Sequence, residues 1–154
     1  MMKKIVAVAL VLGLGIGGFY ALEAQRPDCV TLYLDYGITE NDTKTTSCIS
    51  VAGKTNALDV LADAGLVIEG TQKYGNAVVC RVNNHPDINK ESCEDMPPAE
   101  AYWAVLVKEY QIIPIPFDTA GEWGWAQTGI NEIYLNPGDS IGLVFANNGE
   151  VKFP

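Results

Sequence analysis

Hydrophobic positions change their spacing several times along this chain. Ile5 to Leu22 is apolar and uncharged and follows Lys3 and Lys4, the pattern of a secretory h-region or a signal anchor. From Val30 to Tyr36 the pattern becomes an alternation. Val30, Leu32, Leu34 and Tyr36 fall on one face and Thr31, Tyr33 and Asp35 on the other, which predicts a half-buried strand. Gly37 ends it, Thr39 to Lys44 makes a polar turn, and Thr46 to Val51 returns with Ile49 and Val51 inward.

The spacing then switches to a helical one. Asn56 is placed to cap, Asp59 suits the positive helix end, and Ala57, Leu58, Leu61 and Ala64 make one apolar stripe that Gly65 stops. Asn76 to Val82 reads as strand, with Val78, Cys80 and Val82 on one side. Asn83 to Pro98 is polar and bounded by proline, too long for a tight turn. Tyr102 to Tyr110 is apolar on both faces and predicts a central strand. Ile112 to Phe117 carries two prolines and reads as an edge strand or extended linker. Asn136-Pro137-Gly138-Asp139 has proline and glycine where a type II turn needs them, and Ile141, Leu143 and Phe145 give a last alternating strand.

All four cysteines lie downstream of the apolar run. An exported domain with an even count predicts disulfides. Cys29 and Cys48 share the outward face of a predicted hairpin and are expected to sit opposite each other. A Cys80–Cys93 bond would close the polar loop. No C-x-x-C spacing suggests zinc. Residues 1–24 are expected to act as signal peptide or anchor, with Leu22-Glu23-Ala24 resembling a cleavage site. Residues 29–154 form one domain in an extracytoplasmic space, and the membrane is met only through the N-terminal segment if it is retained. The net charge is −9, and losing Lys3, Lys4 and Glu23 changes it to −10, which argues against nucleic acid or anionic lipid as partner.

Strand, hairpin, one helix and several further strands is the order of a β-grasp fold, an α+β class with a mixed sheet packed on one short helix. Ala57-Leu58-Asp59-Val60-Leu61, Tyr74-Gly75, Ala101-Tyr102-Trp103, Gly129 and Leu135-Asn136-Pro137-Gly138-Asp139 occur in an order that resembles the transcobalamin-like C-terminal domain family over Val30 to Ala146. Cys80-Arg81-Val82 and Pro97 to Trp103 resemble its cysteine-bearing exported bacterial branch. The resemblance implies a β-grasp domain and, from the animal carriers, a corrinoid such as cobalamin as ligand. There a separate helical barrel covers the other side of the corrinoid, and this sequence has no counterpart to it. The shared motifs are folding motifs and transfer no ligand-contacting residue.

Candidate chemistry is sparse. His85 is the only histidine, and no serine stands in a nucleophile-elbow context beside it, so it is expected to be a solvated loop residue. Asn83, His85, Asp87, Asn89 and Glu91 alternate like oxygen ligands of a calcium loop, but Ile88 stands where glycine is needed, and no metal is expected. Asn41-Asp42-Thr43 is a formal glycosylation sequon. The aromatic residues are the better lead. Trp123 and Trp125, in Gly121-Glu122-Trp123-Gly124-Trp125, would share a face in a strand and, with Tyr110, offer a platform for a flat apolar ligand or else cap the core. Trp103 belongs with its valine neighbours in the core. The expected function is a non-catalytic module that binds a small molecule. The alternative is a cell-surface module that recognises an extracellular protein or polymer.

Overall fold

A computed structural model describes residues 27–37, 44–109 and 121–154. The predicted N-terminal segment, the sequon, Tyr110 and the proline-bearing stretch Ile112 to Phe117 lie outside the described residues.

The alternation of the first strand and of the last builds the centre of the sheet. β1 (Cys29–Asp35) forms an antiparallel hairpin with β2 (Lys44–Ser50) and lies parallel to the last strand, β9 (Ser140–Phe145). On the other side of β9 runs β6 (Trp103–Lys108), antiparallel, followed by the two-residue β7 (Gly124–Trp125). The sheet order is therefore β2-β1-β9-β6-β7. β3 (Thr55–Asn56) pairs with β8 (Tyr134–Leu135), and β4 (Ile68–Thr71) pairs with β5 (Gly75–Val82), each as a two-stranded sheet. The class is α+β with a mixed sheet, as expected.

The helix, α1 (Ala57–Asp63), begins where the sequence puts its cap: the Asn56 side chain accepts the Leu58 N–H at 2.9 Å. It ends where Gly65 takes φ +77°, with Leu66 N–H returning to the Leu61 carbonyl at 2.9 Å. Ala57, Val60 and Leu61 are fully buried against Val30, Leu32, Leu34, Ile141 and Leu143 on the inner face of the sheet. Each large aliphatic side chain removed from water there contributes about 1.5–3 kcal/mol. Trp103 joins this core, with Val105 and Val107 packed at its margin.

The outer face carries a smaller cluster, Ala104, Leu106 and Val144, over which Tyr33, Tyr102, Trp123 and Val151 pack. Residue parity explains the split: the odd residues of β1 and the even residues of β6 and β9 point outward.

Both disulfides form, Cys29–Cys48 and Cys80–Cys93, with Cα atoms 5.6 and 5.7 Å apart. The register corrects one detail. Cys29 lies opposite Ser50 and Cys48 opposite Thr31, so the first bond runs diagonally across the hairpin rather than straight across. Both cysteines still occupy the outer face, and strand twist brings diagonal neighbours close enough to bond. The end of β5 also departs from a one-sided strand: Val79, Cys80, Arg81 and Val82 are all buried.

Candidate functional site

Three places bring chemistry-bearing side chains together. The first is the outer aromatic strip. Trp123 and Trp125 flank Gly124 at the edge of the sheet, and Trp125 stands opposite Leu106, so it belongs to the outer face. Trp123 is half-buried: its ring lies over Gly142 and tilts against Tyr33 at 6.3 Å. Trp125 is 44% exposed and meets the ring of Phe153, also 44% exposed, edge to face at 5.8 Å. Tyr110, the third expected ligand residue, lies outside the described residues. Phe153 was not singled out by the sequence, although Val151 and Phe153 repeat the period-two spacing of the strands.

The second place surrounds His85. Polar neighbours suggest a solvated ring, yet the imidazole packs into an aromatic box. Phe145 lies 4.5 Å away, Tyr36 5.6 Å and Trp103 6.0 Å. Two backbone bonds between Val82 and His85 make the tight turn that folds the ring inward. The Trp103 indole N–H donates to the His85 carbonyl at 2.9 Å. Nε2 is buried with no hydrogen-bond partner among the described residues. Burial, and then the nearby Lys90, hold the imidazole below the usual histidine pKa, so it is neutral near pH 7.

The loop after His85 is organised from within. Arg81 is buried, and its guanidinium donates to the Pro86 carbonyl at 3.1 Å, to Glu69 at 2.6 Å and to the Glu91 carbonyl. Asp87 accepts from the Asn89 backbone and side chain, both at 2.8 Å. The Glu91 carboxylate accepts the Cys93 N–H at 3.0 Å. Of the residues that echoed a calcium loop, Asp87 and Glu91 thus accept hydrogen bonds within the loop, while the Asn83 side chain accepts the Val67 N–H at 2.9 Å. Among the described residues no group of acidic, histidine and cysteine side chains is arranged to hold a metal ion.

The third place is a cleft of ≈ 390 Å³ between the end of β6, residues 126–128 and β8. Val107, Ala126, Ile133 and Leu135 form its apolar floor, and Lys108, Glu109, Gln127, Thr128 and Tyr134 its rim. Asp139, which also lines it, accepts the Asn136 backbone N–H at 2.6 Å, which fixes the Asn136–Asp139 turn, where Gly138 takes φ +96°.

The two disulfides suggest an oxidising compartment. Among the described residues no helix is long and apolar enough to cross a membrane. Compared with family models, with curated proteins and with solved structures, the chain has no match in any of the three.

Proposed function

We propose that the chain is an exported, non-catalytic binding module of β-grasp type, whose accessible aromatic surface receives a small molecule with a flat apolar face. The sheet order, with a hairpin beside a last strand parallel to the first, supports the β-grasp reading. The observation that carries the function is the division of labour among the three tryptophans. Trp103 fills the inner core and Trp123 covers Gly142, while Trp125 stays open beside Phe153. An indole left accessible next to a second ring is a costly exposure that ligand burial would relieve. A corrinoid, the ligand implied by the family resemblance, is the first to test.

Titration with cobalamin, followed by tryptophan fluorescence, is expected to give saturable quenching at micromolar ligand that Trp125→Ala removes. Quenching no greater than the inner-filter effect discards the corrinoid. Quenching that persists in Trp125→Ala discards the surface.

A second reading, a cell-surface module for an extended protein segment, is favoured by β2. Among the described residues this seven-residue strand forms the sheet edge, carries no proline, and is exposed at every position except Ile49. Such an edge offers backbone groups to an added strand. Failure of the immobilised chain to retain any saturable protein partner weighs against it.

A further inference from the structure

The cleft beside β8 is separate from the Trp125–Phe153 surface and has a different chemistry. Its floor is apolar, and its rim mixes donors and acceptors: the Lys108 ammonium, the Glu109 carboxylate, and the hydroxyls of Thr128 and Tyr134. Tyr134 is 57% exposed, with the Lys54 ammonium 5.6 Å from its ring centroid. The lining carries one positive charge, on Lys108, against two negative ones, on Glu109 and Asp139, within a chain of net charge −9. With the Lys54 ammonium beside the Tyr134 ring the local charges cancel, so it is the chain's net charge of −9 that disfavours phosphates and carboxylates. The volume of ≈ 390 Å³ is near the small end of ligand sites, which span about 300–1,000 Å³, and suits one or two rings.

An uncharged pyranose meets these conditions together. Its axial C–H groups form a weakly positive apolar face that fits the negative face of an aromatic ring. Its hydroxyls both donate and accept, as the mixed rim requires. We propose that this cleft binds a neutral saccharide of one or two pyranose rings, stacked against Tyr134 and hydrogen-bonded to Thr128 and Glu109. The inference rests on reading the chain as an exported binding module, but Trp125 and Phe153 are not among the residues that line the cleft.

The test uses the full chain, labelled with ¹⁵N, and amide shifts during titration with cellobiose, maltose and N,N′-diacetylchitobiose, with glucose 6-phosphate as the anionic control. At least one neutral disaccharide is expected to shift Gln127, Thr128 and Tyr134 saturably, with glucose 6-phosphate about tenfold weaker or more, a difference worth about 1.4 kcal/mol. Tyr134→Phe keeps the ring and is expected to retain binding, whereas Thr128→Val and Tyr134→Ser are each expected to weaken it several-fold. The wild-type amide spectrum outside the cleft verifies that each variant is folded. No shift with any neutral sugar, shifts confined to Trp125 and Phe153, or equal binding of the sugar phosphate would each overturn the proposal. Cobalamin quenching reports on Trp125, so failure there leaves the cleft result standing, and the converse also holds.

Discussion

Trp123 lies over Gly142, the outward-facing glycine of the central strand β9. A methyl group placed on Gly142 would come within 3.1 Å of the indole and 3.4 Å of the Leu106 Cβ. Glycine weakens a strand because it has no side chain to pack, and an aromatic ring from a neighbouring segment offsets that loss. The pair is thus expected to be strongly coupled. Trp123→Ala removes a half-buried ring and should cost about 2–3 kcal/mol. Gly142→Ala in the wild-type background presses on the indole, which must give by a few tenths of an ångström, and should destabilise by about 1 kcal/mol. In the Trp123→Ala background the same substitution meets only the Leu106 Cβ at 3.4 Å and should stabilise, because alanine restricts the unfolded chain by about 0.4–1 kcal/mol. Urea unfolding of the four proteins gives the double-mutant cycle, and a Gly142→Ala effect equal in both backgrounds refutes the coupling.

His85 makes stability depend on pH in a definite direction. Its folded pKa lies below that of the unfolded chain, chiefly through burial in the Tyr36–Trp103–Phe145 box and then through Lys90. The unfolded state therefore binds the extra proton first as pH falls. His85's contribution is complete above about pH 6.5 and is lost progressively below it, with a ceiling of about 1.4 kcal/mol per pH unit for one proton. The ring is only partly enclosed, so the observed slope should be a fraction of that ceiling. Asp87 and Asp95, whose carboxyls are lowered by hydrogen bonds from Asn89 and Lys73, lose their contributions only in the more acid range below the ordinary carboxylate value. His85→Phe keeps a ring in the box and removes the titration. Urea midpoints compared between pH 8 and pH 5 should fall in the wild type and fall less in the variant. Equal slopes would assign the effect to other groups.

The strands with period-two spacing were legible because one face of each meets the same core: Val30, Leu32 and Leu34 in β1, and Ile141 and Leu143 in β9. The helix ends were equally legible, since Asn56 and Gly65 act through their own backbone neighbours. Both cysteine pairings followed from hairpin faces and loop closure, although the diagonal register of Cys29 and Cys48 depended on a turn whose length the pattern left open. His85 was not legible. The polarity of Asn83, Asn84 and Asp87 says nothing about which way a tight turn aims the ring between them. Arg81 was hidden for a related reason: it is buried because carbonyls from Pro86 and Glu91, distant in the strand pattern, satisfy its fork. The cleft escaped notice because its walls come from separate segments, and the one motif among them, Leu135 to Asp139, reads as a turn rather than as a site. The outer strip was only half visible, because Phe153 reaches Trp125 from the far end of the chain.

The two disulfides differ in access, and this difference predicts an order of reduction. Cys80 and Cys93 are both almost fully buried, and the loop between them is clamped further by Arg81. In the other pair Cys29 is buried, but Cys48 is exposed on the edge strand β2. Thiol–disulfide exchange requires the attacking thiolate to approach a sulfur along the S–S axis, which an exposed edge permits and a packed interior prevents. Under native conditions dithiothreitol should therefore open Cys29–Cys48 first, and Cys80–Cys93 should yield only as the fold opens. Each bond closes a short loop, with sequence separations of 19 and 13, and loop-closure entropy alone makes each worth about 3 kcal/mol. Loss of the first should consequently lower the unfolding midpoint before it alters the core. Timed alkylation with peptide mass spectrometry checks the order: alkylated Cys29 and Cys48 should appear while Cys80 and Cys93 remain joined. If Cys80–Cys93 is reduced first, the loop opens without unfolding, and the clamp assigned to Arg81 does not hold it.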